Sequence, residues 1–190
     1  MKMLPTRISV AMCTYNGERF LPQQLASIAA QTRLPDELVV CDDRSTDRTV
    51  AIVREFAASV PFPVKVFENE RNLGYSANFE AAIRRCEGDL IALSDQDDIW
   101  YPQHLETLQR PFLEPRFPPV GWVYSNLDEI DESGAVVNRR FLDLTSAEHP
   151  KTRLDHLIDR NQYVLPSASL LSRSAFEAVG GFDESLSGFD

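Results

Sequence analysis

An acidic cluster offers the clearest chemistry in the sequence. Asp95, Asp97 and Asp98 follow the apolar run 90–93 after a single serine. A buried strand that ends in clustered carboxylates is poor for stability, because each charge repels its neighbours and resists desolvation. In an extended segment alternate side chains share a face, so Asp95 and Asp97 point into one site while Gln96 points away. Two carboxylates at this spacing suit Mg²⁺ or Mn²⁺, completed by substrate phosphates. A solvated acidic loop is the alternative.

Two earlier polar segments occupy the same position relative to apolar runs. The three segments that follow predicted strands are residues 14–17, 42–47 and 95–98. Ligands of open parallel sheets bind at the carboxyl ends of the strands, so a site is expected where these segments meet. Their acceptors suit the ring N–H of a base, their hydroxyls suit a ribose, and their carboxylates suit a metal on a diphosphate. A nucleoside diphosphate satisfies all three.

Each segment also has a purely structural explanation. Ser45 and Asp47 are typical of a turn and a helix N-cap, Tyr15 can pack beside the sheet, and residues 72–74 can form an ordinary turn. Asp43 is the exception if its neighbour already orders the turn. The order of the segments at successive strand ends is what favours a binding site.

The elements that must position these residues alternate between strand and helix. Apolar residues at helical spacing predict a helix after each of the first four strands. The predicted strands are 8–13, 37–41, 64–67 and 89–94, and the predicted helices are 18–31, 47–59, 76–86 and 102–113. This alternation predicts an α/β fold with a Rossmann-like, mainly parallel central sheet flanked by helices.

The alternation changes after residue 119. The remaining predicted elements are a strand at 120–126, a hairpin at 130–137, a helix at 152–160, an apolar strand near 164–171, a helix from Ser174 and a turn at 180–181. The second half is therefore mixed or antiparallel. Residues 1–190 are expected to form one domain that is truncated at its C-terminus, because no closing element follows the turn.

Composition argues against nucleic-acid-binding, zinc-binding and membrane-spanning classes of protein. With 29 acidic and 19 basic residues the net charge is -10, which argues against nucleic acid as a partner. The three cysteines match no zinc spacing and are expected to be buried, reduced thiols of a cytoplasmic protein. No signal peptide and no apolar stretch of membrane-spanning length is found. Peripheral association with the inner face of a membrane stays open.

Taken together, the motifs resemble those of the inverting family-two glycosyltransferases with the GT-A fold. Within that family the sequence is similar to bacterial rhamnosyltransferase-like members of cell-surface polysaccharide synthesis. The matching motifs are T-Y-N at 14–16, D-D-x-S-x-D-x-T at 42–49, N-x-G at 72–74, D-x-D-D at 95–98 and G-G-F-D-E at 180–184. They span nearly the whole chain in the family's order.

The resemblance implies a role for each matching residue. Asp43 would accept a hydrogen bond from the ring N–H of uracil or thymine, and Asp97 would be the principal ligand of Mg²⁺ or Mn²⁺, with Asp95 beside it. Asp190 would fall on the first position of the acidic pair that supplies the catalytic base, and its partner, which would be the true base, is expected to be missing from this chain. The residues implied at the nucleotide sugar are Thr14, Tyr15, Asn16, Asp43, Asn72, Gly74 and Asp95.

The resemblance also implies a reaction. A sugar would move from a UDP- or dTDP-sugar to a hydroxyl of a saccharide or lipid-linked acceptor, with inversion and with help from the metal. Residues 1–119 would form the nucleotide-binding half and residues 120–190 the acceptor-side half. The alternative is a non-catalytic or incomplete sugar-nucleotide-binding module of a larger protein.

Other classes of protein fit the sequence less well. A nucleotidyltransferase on a similar sheet would need a glycine-rich loop with a lysine after the first strand, and residues 14–18 contain neither. A dinucleotide-dependent oxidoreductase would need G-x-G-x-x-G at that turn. A receiver-type signalling domain would leave the mixed second half unexplained.

Overall fold

Strands and helices alternate along the first half of the chain as the apolar pattern predicts. The computed structural model describes residues 6–114, 120–144 and 165–182. Its strands are β1 Ile8–Thr14, β2 Glu37–Asp42, β3 Val64–Glu68, β4 Leu90–Ser94, β5 Trp122–Tyr124, β6 Glu129–Ile130, β7 Val136–Asn138 and β8 Ser169–Ser172. Its helices are α1 Leu21–Ala29, α2 Thr49–Ala57, α3 Tyr75–Arg85, α4 His104–Leu113, α5 Phe141–Leu144 and α6 Arg173–Val179, with a 3₁₀ turn at Pro166–Ala168.

The central sheet brings the polar segments to one edge. Its strand order is β3-β2-β1-β4-β8-β5, in which the first four strands are parallel and β8 runs antiparallel to both of its neighbours. Thr14 lies opposite Asp42, and Met12 lies opposite Ser94. The carboxyl ends of β1, β2 and β4 therefore meet, which confirms the predicted α/β fold with a mainly parallel sheet.

The core forms two layers because alternate residues of the central strands face opposite sides of the sheet. On one side Val10 and Val40 pack in a cluster with residues of α1, α2 and α4, and on the other side Ala11 and Val39 pack with residues of α3 and α6. Every residue of β1, β2 and β4 is buried. Burial on both faces explains why these strands are continuous apolar runs in the sequence.

The first, second and fourth helices are shorter than the sequence predicts, whereas α3 has the predicted length. The fourth helix begins at His104 rather than at Pro102, because the carbonyls of Tyr101 and Pro102 accept hydrogen bonds from Gln31 and Thr32, which follow α1. Residues 101–103 are thereby held as a turn. Within the described ranges, no helix has the length and apolar character needed to cross a membrane.

The second half is mixed, as predicted, although its strands differ in detail. The predicted strand 120–126 is only three residues long, and β8 inserts between it and β4. The hairpin forms between β6 and β7, with Gly134 at φ 83° in its turn. The predicted helix 152–160 lies outside the described residues, as does Asp190.

A hydrogen-bonded network closes the amino edge of the sheet, opposite the polar segments. The Gly88 amide donates to Ser9 Oγ at 2.7 Å, and Ser9 Oγ donates to the buried Glu37 carboxylate at 2.6 Å. A Cβ placed on Gly88 would lie 2.6 Å from Ser9 Oγ, 2.7 Å from the Ser9 nitrogen and 2.9 Å from the Arg7 oxygen. Two of these atoms belong to the backbone, so the side chain cannot be accommodated by rotation.

Replacing Gly88 by alanine should therefore destabilise the fold. We expect Gly88→Ala to lower the free energy of unfolding by about 1 to 3 kcal/mol, the usual effect of overpacking. Gly121→Ala is the matched control, because among the described residues its Cβ would meet only the Ala175 side chain, at 3.2 Å. Urea denaturation measures both variants, and equal losses of stability would contradict the explanation.

Candidate functional site

Four loops meet at the carboxyl edge of the sheet. We name them loop 1 (residues 15–20, after β1), loop 2 (residues 43–48, after β2), loop 3 (residues 69–74, before α3) and loop 4 (residues 95–103, after β4). The Asp43 amide at the start of loop 2 donates to the Thr14 carbonyl, which extends the β1–β2 pairing to the edge. The three polar segments predicted from the sequence are therefore neighbours in the structure.

Asp42 orders the turn at the start of loop 2. Its buried carboxylate accepts hydrogen bonds from the Thr14 hydroxyl at 2.7 Å, the Ser45 amide at 2.8 Å and the Ser45 hydroxyl at 2.6 Å. Thr14 is a predicted nucleotide contact, but its hydroxyl donates its hydrogen bond to Asp42. Asp43 is not needed for this turn.

The Asp43 carboxylate holds loop 3 instead. It is 4% exposed and accepts hydrogen bonds from Asn69 Nδ2 at 2.8 Å and the Leu73 amide at 2.7 Å on Oδ1, and from the Gly74 amide at 2.9 Å on Oδ2. Each carboxylate oxygen has two acceptor sites. Only one bond within the described residues reaches Oδ2, which leaves it able to accept an N–H from a ligand.

Asn72 and Gly74 give loop 3 its shape. The Asn72 amide donates to the Asp43 carbonyl at 3.3 Å, and its side-chain oxygen accepts the Gly74 N–H at 3.1 Å. Gly74 has φ 80° and ψ 169°, a conformation that is essentially restricted to glycine. These two predicted nucleotide residues therefore set the backbone conformation that leads from Asp43 into α3.

Reciprocal hydrogen bonds join loop 1 to loop 2. The Asn16 amide donates to Ser45 Oγ at 2.8 Å, and the Thr46 amide donates to Asn16 Oδ1 at 2.8 Å. Asn16 has φ 48°, a left-handed conformation that asparagine adopts more readily than most residues. The ring of its neighbour Tyr15 is 51% exposed at the same edge.

Gln96 joins loop 1 to loop 4, and here the sequence-based expectation is wrong. The chain bends after β4 rather than continuing extended, and Gln96 does not point away from the site. Its Oε1 accepts the Tyr15 N–H at 2.9 Å, and its Nε2 donates to the Tyr15 carbonyl at 3.0 Å. Gly17 makes room for this contact, because a Cβ there would lie 2.2 Å from Gln96 Oε1.

The carboxylates of loop 4 lack cationic partners among the described residues. Tyr75, which follows Gly74, donates its hydroxyl to Asp95 Oδ2 at 3.3 Å and so links loop 3 to loop 4. Burial, with the carboxylates of Asp98 and Asp97, nevertheless raises the pKa of Asp95 to about 7. Asp97 is exposed to solvent. The edge is therefore short of positive charge.

The donor set of loop 4 fits a hard divalent cation that is only partly coordinated by protein. In the part of the chain that the structure describes, no three histidine, cysteine or acidic side chains converge. Asp95 and Asp97 could thus supply one or two oxygen ligands, and the phosphates of a ligand would supply others, which is the usual arrangement for Mg²⁺.

A cavity of about 340 Å³ continues from loop 4. It begins at Asp98, next to Asp97, and passes between loop 4, the β6–β7 hairpin and the 3₁₀ turn. Its walls come from parts of the sequence that lie far apart, so no local sequence motif predicts the cavity. Sequence reasoning missed this cavity, as it missed the two hydrogen bonds of Gln96.

Comparison with known proteins agrees with this geometry. The structure of Staphylococcus aureus TarS residues 1–349 in complex with UDP superposes with a TM-score of 0.71 at 22% identity, covering 96% of this chain and 52% of that TarS fragment. The mannosyltransferase PcManGT from Pyrobaculum calidifontis, in complex with GDP-Man and Mn²⁺, superposes with a TM-score of 0.68 at 22% identity, covering 95% and 48% of the two chains. At this identity the likeness concerns the fold.

Sequence similarity defines the family. The Escherichia coli protein WfgD, a UDP-Glc:alpha-D-GlcNAc-diphosphoundecaprenol beta-1,3-glucosyltransferase, is 32% identical over 129 residues, which cover 68% of this chain and 49% of WfgD. The chain spans about half the length of the curated relatives it matches. Residues 9–180 match Glycosyl transferase family 2. With its GT-A architecture and its carboxyl-edge loops, the chain belongs to glycosyl transferase family 2.

Proposed function

We propose that this chain transfers a sugar from a UDP- or dTDP-sugar to an acceptor hydroxyl, with inversion, in the synthesis of a cell-surface polysaccharide. The observation that carries the proposal is that hydrogen bonds between the loops bring Tyr15, Asp43 and Asp95 to one edge of the sheet. Residues 1–119 would bind the nucleotide, and residues 120–190 would form the acceptor side.

The nucleoside would lie across loops 1 to 3. The exposed ring of Tyr15 offers a face for stacking on the base. Asp43 Oδ2 would accept the ring N–H of uracil or thymine at its free acceptor site. The other residues assigned to the nucleotide would act by holding these two in place, and they are Thr14, Asn16, Asn72 and Gly74.

The diphosphate would lie at loop 4. Asp97, with Asp95 beside it, would hold Mg²⁺ or Mn²⁺. A cation is favoured there because burial and the neighbouring carboxylates raise the pKa of Asp95. When bound, such a cation supplies Lewis-acid stabilisation of the charge on the departing phosphate oxygen. The Mn²⁺ named in the PcManGT complex supports this choice of metal.

The acceptor hydroxyl would lose its proton to a carboxylate. Asp190, outside the described residues, is our candidate for this general base. A single displacement from the face opposite the diphosphate would invert the anomeric centre. The WfgD name, with its UDP-Glc donor and diphosphoundecaprenol-linked acceptor, supports a saccharide or lipid-linked acceptor here.

An incomplete sugar-nucleotide-binding module is the second candidate function, because the chain spans about half of its relatives. Donor hydrolysis and transfer assays on this chain with a UDP- or dTDP-sugar and Mn²⁺ separate the two candidates. Turnover supports the transferase. Donor binding without turnover supports the module.

Removing Asp97 should abolish metal-dependent nucleotide binding without unfolding the protein. We expect Asp97→Ala to weaken binding of UDP or dTDP in the presence of Mn²⁺ at least tenfold, because it deletes a metal ligand while relieving repulsion. Calorimetric titration measures the affinity, and Glu177→Ala, an exposed carboxylate on α6, is the control. An unchanged affinity of Asp97→Ala for the nucleotide with Mn²⁺ would contradict the assignment of Asp97 as a metal ligand.

The raised pKa of Asp95 predicts a pH-dependent gain of stability in Asp95→Asn. The pKa of Asp95 is about 7 in the folded protein and about 3.9 in an unfolded chain, so the ionised carboxylate destabilises the fold above pH 7 and this penalty fades as the pH falls towards 4. With EDTA present at pH 8, we expect the free energy of unfolding of Asp95→Asn to exceed that of the wild type by about 1 to 3 kcal/mol.

Thermal denaturation between pH 4 and pH 8 checks this dependence. The gain of Asp95→Asn should shrink steadily as the pH is lowered, and Glu177→Gln, at an exposed carboxylate on α6, is the comparison variant. A variant that is no more stable than the wild type at pH 8 would contradict the electrostatic description of loop 4.

Gln96 should position Tyr15 for the base. Gln96→Met preserves the length of the side chain but loses both hydrogen bonds to the Tyr15 backbone, so we expect about tenfold weaker UDP binding. Gln103→Met is the matched control, since Gln103 is exposed at the start of α4. Equal affinities of the two variants in the same calorimetric titration would show that Gln96 does not position the site.

A further inference from the structure

The cavity beside loop 4 has mainly apolar walls. Its apolar wall residues are Ile99, Leu127, Ile130, Val136, Leu165 and Ala168. A pyranose ring presents C–H groups on its faces and hydroxyls around its edge, so it needs apolar walls that carry a few polar atoms. The volume of about 340 Å³ lies at the lower end of the range for small-molecule sites and suits a single ring.

The charge of the cavity disfavours an anionic ligand. Among the described residues that line it there is no lysine or arginine, and two of them, Asp98 and Asp128, are carboxylates. Asp128 is already engaged, because it accepts hydrogen bonds from the Tyr101 hydroxyl at 2.7 Å and the Arg140 amide at 2.7 Å. It also forms an ion pair with Arg139 at 3.2 Å. Asp98 has no such cationic partner among the described residues, so a phosphate or carboxylate placed beside it would be repelled.

His104 lines the cavity and carries a buried polar atom. Its ring stacks on Trp100 at 4.5 Å between centroids, and its Nε2 is buried with no hydrogen-bond partner among the described residues. Burial lowers the pKa of His104 to about 4, so the ring is neutral near pH 7. A neutral imidazole nitrogen can donate or accept one hydrogen bond, depending on its tautomer, and a sugar hydroxyl can do either.

The position of the cavity points to the acceptor rather than to the nucleotide. Loop 4 contributes the wall from Asp98 to Tyr101, whereas the described lining residues include none from loops 1, 2 or 3. The opposite walls come from residues 125–136 and 165–168, in the second half of the chain. The cavity therefore opens beside the diphosphate end of the proposed donor site and away from its base end.

We propose that this cavity binds an uncharged pyranose unit of the acceptor, with His104 Nε2 hydrogen-bonded to one of the sugar hydroxyls. The proposal rests on the transferase function given above and names the chemical class of its acceptor. It places the acceptor's terminal sugar, rather than a phosphate or a lipid chain, against Trp100, His104 and the β6–β7 hairpin.

Two neighbouring valines of β7 provide a matched test. Val136 lines the cavity, whereas Val137 is absent from its lining and lies on the opposite face of the strand. Both are exposed, at 41% and 57%, so tryptophan at either position should leave the fold intact. Thermal denaturation of Val136→Trp and Val137→Trp checks that it does.

Saturation-transfer NMR with methyl glycosides measures the binding. The probes are methyl glucoside, methyl galactoside, methyl rhamnoside and methyl N-acetylglucosaminide, each with UDP and Mn²⁺ present. We expect at least one glycoside to receive saturation from the wild type and from Val137→Trp, and its signal to fall at least fivefold in Val136→Trp. His104→Phe, which keeps an aromatic ring against Trp100, should also lose the signal, while His104→Gln should retain part of it.

Other outcomes overturn this proposal separately from the function on which it rests. Equal signals from the two tryptophan variants, or no signal from any glycoside while UDP binds normally, would overturn the cavity assignment alone. Displacement of the glycoside by a UDP-sugar but not by UDP would assign the cavity to the donor's sugar and overturn the acceptor assignment. Failure of both UDP and dTDP to bind the wild type would instead overturn the proposed function.

Discussion

Two buried carboxylates at the end of β2 determine the geometry of the whole carboxyl edge. Asp42 fixes the turn after β2 and holds the hydroxyl of Thr14, while Asp43 holds the backbone of loop 3. Backbone N–H groups in buried loops need partners, and these carboxylates provide them where no neighbouring strand can. Hydrogen bonds thereby tie loops 1, 2 and 3 to the end of the sheet, so that residues far apart in sequence lie at one edge.

Some residues of the edge hold its loops in place, whereas others are exposed or have few partners among the described residues. Asn16 and Asn72 direct their side chains to backbone groups of neighbouring loops. Tyr15 and Asp97 are exposed, and among the described residues the Asp95 carboxylate has a single hydroxyl partner. Burial, together with the neighbouring carboxylates of loop 4, raises the pKa of Asp95, and a bound cation would lower it again by favouring the charged form.

Much of this arrangement follows from the sequence because its causes are local. Continuous apolar runs give β1, β2 and β4, and apolar residues at helical spacing give the helices between them, so the meeting of the strand ends could be predicted. The insertion of the four-residue β8 between β4 and β5 could not, because so short a strand depends on its neighbours in the sheet.

The site shows the same limit. Asp95 and Asp97 are recognisable from their spacing, whereas the contact between Gln96 and Tyr15 depends on a bend after β4 and on the room left by Gly17. The cavity at His104 depends on three separated stretches of chain that only the fold assembles. Predictions from sequence therefore reach the carboxylates that we assign to the donor and stop short of Gln96 and of the cavity at His104, to which we assign positioning and the acceptor.

The most direct measurement of the central claim is a crystal structure of the chain with UDP and Mn²⁺, in which anomalous scattering locates the metal. The account predicts a manganese peak within coordination distance of the Asp97 carboxylate and of the diphosphate, with the uracil ring beside Tyr15 and its N–H directed at Asp43. Manganese and nucleotide bound elsewhere, with the carboxyl edge empty, would contradict it.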